Sequence, residues 1–357
     1  MIIRFAIIVI ILALFIGCAS TLYEKINIVG DNSINGIFDP SIEYDNNGTG
    51  WMVYSSIEAP KYISTNLAKS LDNGKTWTYV STINEATDDD SIVEGGVWRH
   101  EVPTLLYDAN DSGKEWKLYW HKYLVKPPYE SSDRLFEYGW IAYKYASNPE
   151  GNWSDEISLF GANQYPLNPY MIEFDLSDLD SDLNNYLFYS EPGSVIIDDT
   201  IYLCFDGSTN VSGMYEWENR TTFLISSNDH GQTWKYNGIL TDYNDCYELR
   251  YRVFTGSSLV TVNNQNYLLT SPSGSFNKLN KDHDGTYIFK FIDISNAKLE
   301  RDSNEKLIVY GYLKDTLSSG GQSDYDELNT NGGVMMPQIN IKRYPKIFEL
   351  YNTKELI

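Results

Sequence analysis

The chain has 357 residues, with 27 Lys and Arg against 49 Asp and Glu, a net charge of −22. A field of that sign repels nucleic acid and bulk polyanions, which excludes nucleic-acid binding and favours a neutral partner or one with a single locally recognised charge. The 29 Tyr and 9 Trp suit β-strands and stacking on sugar faces as well as ordinary packing.

In chain order, residues 1–17 read as an export signal: Arg4 is the positive flank, and Phe5 to Ile16 is an apolar core too short for a normal spanning helix. Gly17-Cys18-Ala19 resembles a bacterial lipoprotein box. That resemblance implies lipidation of Cys18, a lipid anchor to the membrane, and a cell-envelope location facing the extracytoplasmic side. An ordinary signal peptide with a coincidental Cys is the alternative. No second long apolar stretch follows, so a tethered, otherwise soluble monomer is expected. Residues 18–35 form a tether and a strand-like arm over 22–29. Residues 36–357 form one domain.

From residue 36 onward, apolar or alternating runs of 5–8 residues recur between turn residues, and no long amphipathic helix is visible. They fall into groups of four. The first spans about 36–82, the second 98–160, the third 191–240 and the fourth 254–312, with a short fifth over 334–351. Residues 161–189 are a long acidic, helix-tinged loop.

Two octapeptides punctuate this pattern. Ser70-Leu71-Asp72-Asn73-Gly74-Lys75-Thr76-Trp77 and Ser227-Asn228-Asp229-His230-Gly231-Gln232-Thr233-Trp234 share S-x-D-x-G-x-T-W. Ser and Asp can bond the turn's own backbone, Gly supplies a left-handed angle, and Thr-Trp restarts a strand. Each octapeptide is therefore expected to be a corner between two outer strands, with Asp72 and Asp229 structural. A worn copy ends at Trp153. Trp77, Trp153 and Trp234 lie 76 and then 81 residues apart, a repeat of one supersecondary unit. The octapeptide resembles the Asp box of sialidases and related β-propellers. The spacing then implies an all-β, five-bladed β-propeller, its ring closed by the N-terminal strand joining the short last blade.

In a propeller, entries to the first strand and exits from the second strand of each blade converge on one funnel. The entries read Phe38-Asp39-Pro40, Trp98-Arg99-His100-Glu101-Val102-Pro103, Ser190-Glu191-Pro192 and Arg252-Val253-Phe254-Thr255-Gly256, with Glu327 just before the fifth group. The exits add Ser55, His121, Asp206 and Ser271. Asp39, Glu101 and Glu191 are read as corresponding positions of three successive blades. Carboxylates crowded around one channel are costly unless paired or used, and glycoside hydrolysis uses such a set: an acid protonates the leaving oxygen while a second carboxylate activates water.

This layout resembles glycoside hydrolase family 43 and its five-bladed relatives. The resemblance implies that Asp39 is the general base, and that Glu191 stands where the family carries an Asp at the third-blade opening. The family's acid opens blade four, where this chain has Phe254-Thr255-Gly256. Glu101 and Glu191 are therefore candidates for acid and pKa modulator. Trp98, Arg99, His100, His121, Asp206, Arg252 and Glu327 are the candidate substrate-binding residues. The expected activity is hydrolysis, by inversion, of a neutral or weakly charged glycan. A non-catalytic glycan-binding or surface-scaffold propeller is the alternative, and a sialidase a lesser one. No cofactor is required and no metal-ligand set is recognisable; calcium in the central channel is left open. Cys204 and Cys246 are expected to be free thiols.

Overall fold

The computed structural model describes residues 23–59, 61–130, 133–161, 172–184, 186–211, 214–276, 283–314, 320–329, 333–340 and 347–353. The expected signal and Cys18 lie outside them. Among the described residues the regular structure is almost all β-strand, with short 3-10 turns, one six-residue α-helix, Tyr243–Glu248, and no helix long and apolar enough to cross a membrane.

The N-terminal arm carries β1 (Glu24–Lys25) and β2 (Ile28–Val29). The first group follows as β3 (Gly36–Tyr44), β4 (Gly50–Ala59), β5 (Tyr62–Ser70) and β6 (Trp77–Asn84). The second comprises β7 (Thr87–Asp88), β8 (Val97–Tyr107), β9 (Trp116–Val125), β10 (Arg134–Ala146) and β11 (Ile157–Gly161). The third comprises β12 (Tyr186–Ile197), β13 (Thr200–Val211), β14 (Met214–Ser227) and β15 (Lys235–Thr241). The fourth comprises β16 (Val253–Val262), β17 (Gln265–Ser273), β18 (Thr286–Asp293), β19 (Lys298–Leu299) and β20 (Gly311–Leu313). Last come β21 (Asp324–Tyr325), β22 (Val334–Asn340) and β23 (Ile347–Asn352).

Within each group, successive long strands pair antiparallel, so the sheets are meanders. The arm straddles two groups: β1 pairs with β23, and β2 pairs with β6. Several boundaries differ from the sequence expectation. The third group begins at Tyr186, five residues early, because Tyr186 to Ser190 already pair with β13. The outer strand of the second group begins at Ile157 rather than Trp153, since Trp153 is held in the turn by its Nε1–H bond to the Pro149 carbonyl. The outer strand of the fourth is the short β20, not 306–312.

Apolar clusters join each group to the next. Trp51, Val53 and Leu67 pack against Leu105, Trp116, Trp120 and Trp140, with Trp51 and Trp116 edge to face at 6.0 Å. Tyr119 and Ile141 meet Leu203, Phe205 and Phe223. Cys204 and Leu224 meet Phe254, Leu268 and Phe289. Leu269 and Ile288 meet Val334 and Met336. Met335 and Leu350 return to Tyr54, Ala68 and Trp77. Cys204 and Cys246 are both buried free thiols in this packing.

Both octapeptides are turns between the third and fourth strands of their groups, bonded alike. The Ser70 hydroxyl donates to Asp72 Oδ1 at 2.9 Å and accepts from Gly74 N, and Asp72 accepts from Thr76 N and Thr76 Oγ1 at 2.9 and 2.7 Å. Ser227, Asp229, Gly231 and Thr233 repeat the set at 2.7, 2.8, 2.9 and 2.6 Å. Gly74 and Gly231 have φ of 72° and 87°, angles a Cβ disfavours. The two aspartates bond within their own turns and staple the corners. Replacing Asp229 by Ala should cost about 1–3 kcal/mol, from the loss of charged hydrogen bonds. The check is a lower urea midpoint at unchanged m-value.

Candidate active site

One irregularity recurs at the same place in four innermost strands. The pairing shifts between Phe38 and Ser41, Glu101 and Thr104, Ser190 and Gly193, and Thr255 and Ser258. At each shift one residue is left-handed: Asp39 (φ 50°), Val102 (54°), Glu191 (56°) and Gly256 (59°). These are β-bulges, and the next residue is Pro40, Pro103, Pro192 or Ser257. Val102 is β-branched, for which this angle is an outlier. Strain repeated at one level of a channel is a mark of a functional site.

The bulges correct the expected equivalence. Asp39 and Glu191 do correspond, but their partner in the second group is Val102, and Glu101 lies one residue earlier, level with Phe38, Ser190 and Thr255. The exits are aligned as expected: Ser55 pairs with Phe38, His121 with Glu101, Asp206 with Ser190 and Ser271 with Thr255.

Despite that offset, Asp39, Glu101 and Glu191 line one cavity of about 250 Å³, together with Phe38, Val102, Arg134, Thr255, His283 and Phe348. Each carboxylate is buried and differently held. Asp39 accepts from Gln322 N at 2.8 Å and from the Ser55 hydroxyl at 3.3 Å. Glycine at 321 leaves room for its Oδ1. Glu101 Oε2 accepts from the Tyr123 hydroxyl at 2.6 Å and from Arg134 Nη2 at 3.0 Å, whereas no bond falls on Oε1 among the described residues. Glu191 meets Arg220 Nη1 at 2.9 Å and accepts from Gly256 N at 2.7 Å. The same Arg220 nitrogen lies 3.5 Å from Asp206, which accepts from the Thr222 hydroxyl at 2.8 Å.

These differences separate the protonation states. Burial, then the charges of Glu101 and Glu191, hold the Asp39 carboxyl well above the usual range, against the hydrogen bonds it accepts. Glu191 is just as desolvated, yet Arg220, the Gly256 N–H and Arg134 outweigh burial and hold it below the usual range. Asp206 goes the other way: burial and the adjacent Glu191 raise it. Thus, of the two carboxyls sharing Arg220, Glu191 keeps the charge.

The other expected site residues separate into three sets. Asp206 belongs to the Glu191–Arg220 cluster. His121 is buried behind the cavity, its ring 4.8 Å from Tyr123 and 6.3 Å from Phe188. Burial and then the Arg134 charge hold it well below the usual range, so it is neutral. The remainder do not line the cavity. Trp98 bonds Asp89 and lies against Trp140. Arg99 donates to the carbonyls of Lys61 and Tyr129. His100 Nδ1 accepts from Trp120 Nε1 at 2.9 Å, and burial pushes it down to about 3. Trp98 and His100 fall on the face of β8 opposite to Glu101, and Arg99, on the same face, is held by the two carbonyls it bonds. Arg252 packs beside Gly274 outside the cavity. Glu327 lies at a second cavity of about 250 Å³, with Glu43 and Asp324, where burial lifts Asp324 to about 7.

Arg134, Tyr123, Arg220 and His283 were not anticipated. Arg134 and Arg220 come from the third strands of their groups, which entry-and-exit reasoning does not search. His283 Nδ1 lies 3.2 Å from the Thr255 hydroxyl, beside the bulge of the fourth group, which carries no carboxylate. Asp108, Asp111 and His230 have ligand atoms within 4.8 Å of one another. The buried Lys117 ammonium lies 3.4 Å from Asp108 and also bonds Asp111, so a cation of the protein already stands beside both carboxylates.

No protein-family model matches the chain, and no curated protein does. Solved structures do. A Bombyx mori GH32 β-fructofuranosidase, BmSUC1, is 12% identical with a TM-score of 0.55, covering 92% of this chain and 61% of its own. A thermostable family-43 glycoside hydrolase is 12% identical with a TM-score of 0.54, covering 92% and 91%. A Hadza microbial sialidase, Hz136, is 11% identical with a TM-score of 0.51, covering 92% and 68%. The chain thus spans about three-fifths of the first of these. At such identities the likeness concerns the fold, which is all-β and of the propeller type these glycosidases share.

Two outcomes follow from the site's electrostatics. Replacing Arg220 by Met strands Glu191 and Asp206 in the interior and should destabilise the protein by about 3–5 kcal/mol, read by chemical denaturation. Asp39→Asn should do the reverse. A carboxyl raised on folding lets the native state bind more protons than the unfolded chain, so stability falls as pH rises above the unfolded pKa of about 3.9. Asn removes that loss, so the variant should unfold at a higher denaturant concentration than wild type at pH 7, with the gain vanishing towards pH 3–4.

Proposed function

We propose that this chain is a glycoside hydrolase acting on a neutral or weakly charged glycan. The observation that carries the reading is the single cavity lined by Asp39, Glu101 and Glu191 with Arg134. One carboxyl raised by burial, Asp39, beside one held as an anion, Glu191, is the kind of pairing that separates acid and base roles at neutral pH.

The resemblance to family 43 assigns the base to Asp39. The electrostatics favour a different division. Asp39, held protonated, gives its proton to the leaving glycosidic oxygen as the bond to the anomeric carbon breaks. Glu101, whose Oε1 takes no bond from the described residues, takes a proton from the water that attacks that carbon. Glu191, fixed as an anion by Arg220, favours the positive charge developing on the sugar and keeps Asp39 protonated. The steps amount to a single inverting displacement and need no cofactor; calcium in the channel has no part in them.

The same proposal includes the architecture. The nine-stranded sheet counts as two blades, which with the other three sheets makes five. The arm, paired to β23 and to β6, closes the ring. An anchor at Cys18, an envelope location and a monomeric state complete it, and the acidic charge argues against nucleic acid.

The test is a hydrolysis screen over neutral glycans with wild type, Asp39→Asn and Glu101→Gln, product anomers being read by proton NMR. Turnover should fall by about 10²–10⁴-fold in each variant, and the first-formed product should have the inverted configuration. Retained activity in either variant contradicts the roles. Thr255-Gly256 at the fourth opening favours a second reading, a glycan-binding module; binding without turnover by wild type would select it.

A further inference from the structure

Three aromatic side chains stand exposed together outside the cavity: Tyr243 (37% exposed), Tyr247 (54%) and Phe276 (39%). Tyr243 and Tyr247 are four residues apart on the short helix, so they share a face. Their ring centres are 6.1 Å apart, and Tyr247 and Phe276 are 5.3 Å apart.

Backbone pairing fixes where this ledge lies. Ser190, Asp206, Thr222 and Thr241 are partners across the third sheet, and the Thr241 and Thr222 hydroxyls continue the hydrogen-bond chain to Asp206 at 3.1 and 2.8 Å. The row begins beside Glu191 and ends two residues before the helix, so the helix stands on the cavity face. Residues 249–252 then lead to Thr255 and Gly256 in the cavity wall. Phe276 N donates to the Arg250 carbonyl at 3.0 Å, and Arg252 N donates to the Ser273 carbonyl at 3.1 Å. Ser273 is bridged to His283, which lines the cavity. Three residues of chain span at most about 11 Å, so Phe276 lies within that reach of Ser273.

The cavity, at about 250 Å³, falls below the roughly 300–1,000 Å³ of pockets that enclose a drug-sized ligand. It cannot contain an oligosaccharide. The remainder of a chain whose end occupied it would have to lie along the rim, and the exposed rings offer apolar faces with no charge.

We infer that Tyr243, Tyr247 and Phe276 form an accessory subsite for a neutral oligosaccharide whose terminal sugar occupies the carboxylate cavity. The inference rests on the glycosidase reading of that cavity and adds the substrate class: a glycan chain of several residues, not a mono- or disaccharide.

The experiment measures affinity by isothermal titration for a panel of neutral oligosaccharides of two to six residues. It compares Glu101→Gln protein, used to suppress turnover, with the same protein carrying Tyr247→Ala and Phe276→Ala. The parent should bind the longest member of a recognised series about 10-fold or more tighter than the disaccharide, the scale of one or two aromatic contacts. The ledge variant should lose that gain while holding the disaccharide within about twofold. A length gain that survives in the ledge variant, or no length gain in the parent, overturns the subsite alone. Failure of every oligosaccharide to bind the parent, with no turnover by wild type, overturns the cavity reading and the subsite with it. Equal thermal midpoints for parent and ledge variant show that both are folded.

Discussion

Three carboxylates crowd one desolvated cavity, and their mutual repulsion is the constraint around which the rest of the site is arranged. Buried charges persist only when paired or hydrogen-bonded. Arg134 answers Glu101, and Arg220 answers Glu191. Among the described residues no cation bonds Asp39; it receives one backbone N–H and one distant hydroxyl. The result is an ordered set rather than three equivalent acids. Asp39 holds its proton, Glu191 holds its charge, and Asp206 yields to Glu191 across their shared guanidinium.

The backbone makes this crowding possible. A regular strand would point alternate residues into a sheet-to-sheet core. The left-handed residue at each bulge breaks that alternation and turns Asp39 and Glu191 toward the channel, while Pro40 and Pro192 remove an N–H that the bulge would otherwise leave unpaired. Gly256 occupies the same place in the fourth group, and its N–H becomes a ligand for Glu191.

Much of this was legible in the sequence because it is local. The octapeptides announce their turns through side chains that bond within five residues, and their spacing marks the repeat. Asp39-Pro40 and Glu191-Pro192 are legible for the same reason: Pro after a carboxylate marks the bulge. Glu101 was found but placed one residue out of register, because Val102 takes the left-handed angle, which no β-branched residue advertises. Trp98, Arg99 and His100 were drawn in by proximity to Glu101. Trp98 and His100 face away from Glu101 and bond Asp89 and Trp120, while Arg99 is drawn to the Lys61 and Tyr129 carbonyls. The missed residues, Arg134 and Arg220, reach the cavity from strands one further out, over sequence separations of 33 and 29 residues from Glu101 and Glu191. Nothing local marks such contacts.

The central claim is that burial and mutual charge leave one carboxyl of the cavity protonated at neutral pH while Arg220 keeps another ionised. Carbon-13 NMR of side-chain carboxyls in labelled protein, assigned by comparison with Asp39→Asn and Glu191→Gln, tests it directly. The account predicts that the Asp39 carbon keeps its protonated shift at pH 7 while the Glu191 carbon keeps its ionised shift well below pH 4. Ionised shifts for both carboxyls throughout that range would contradict it.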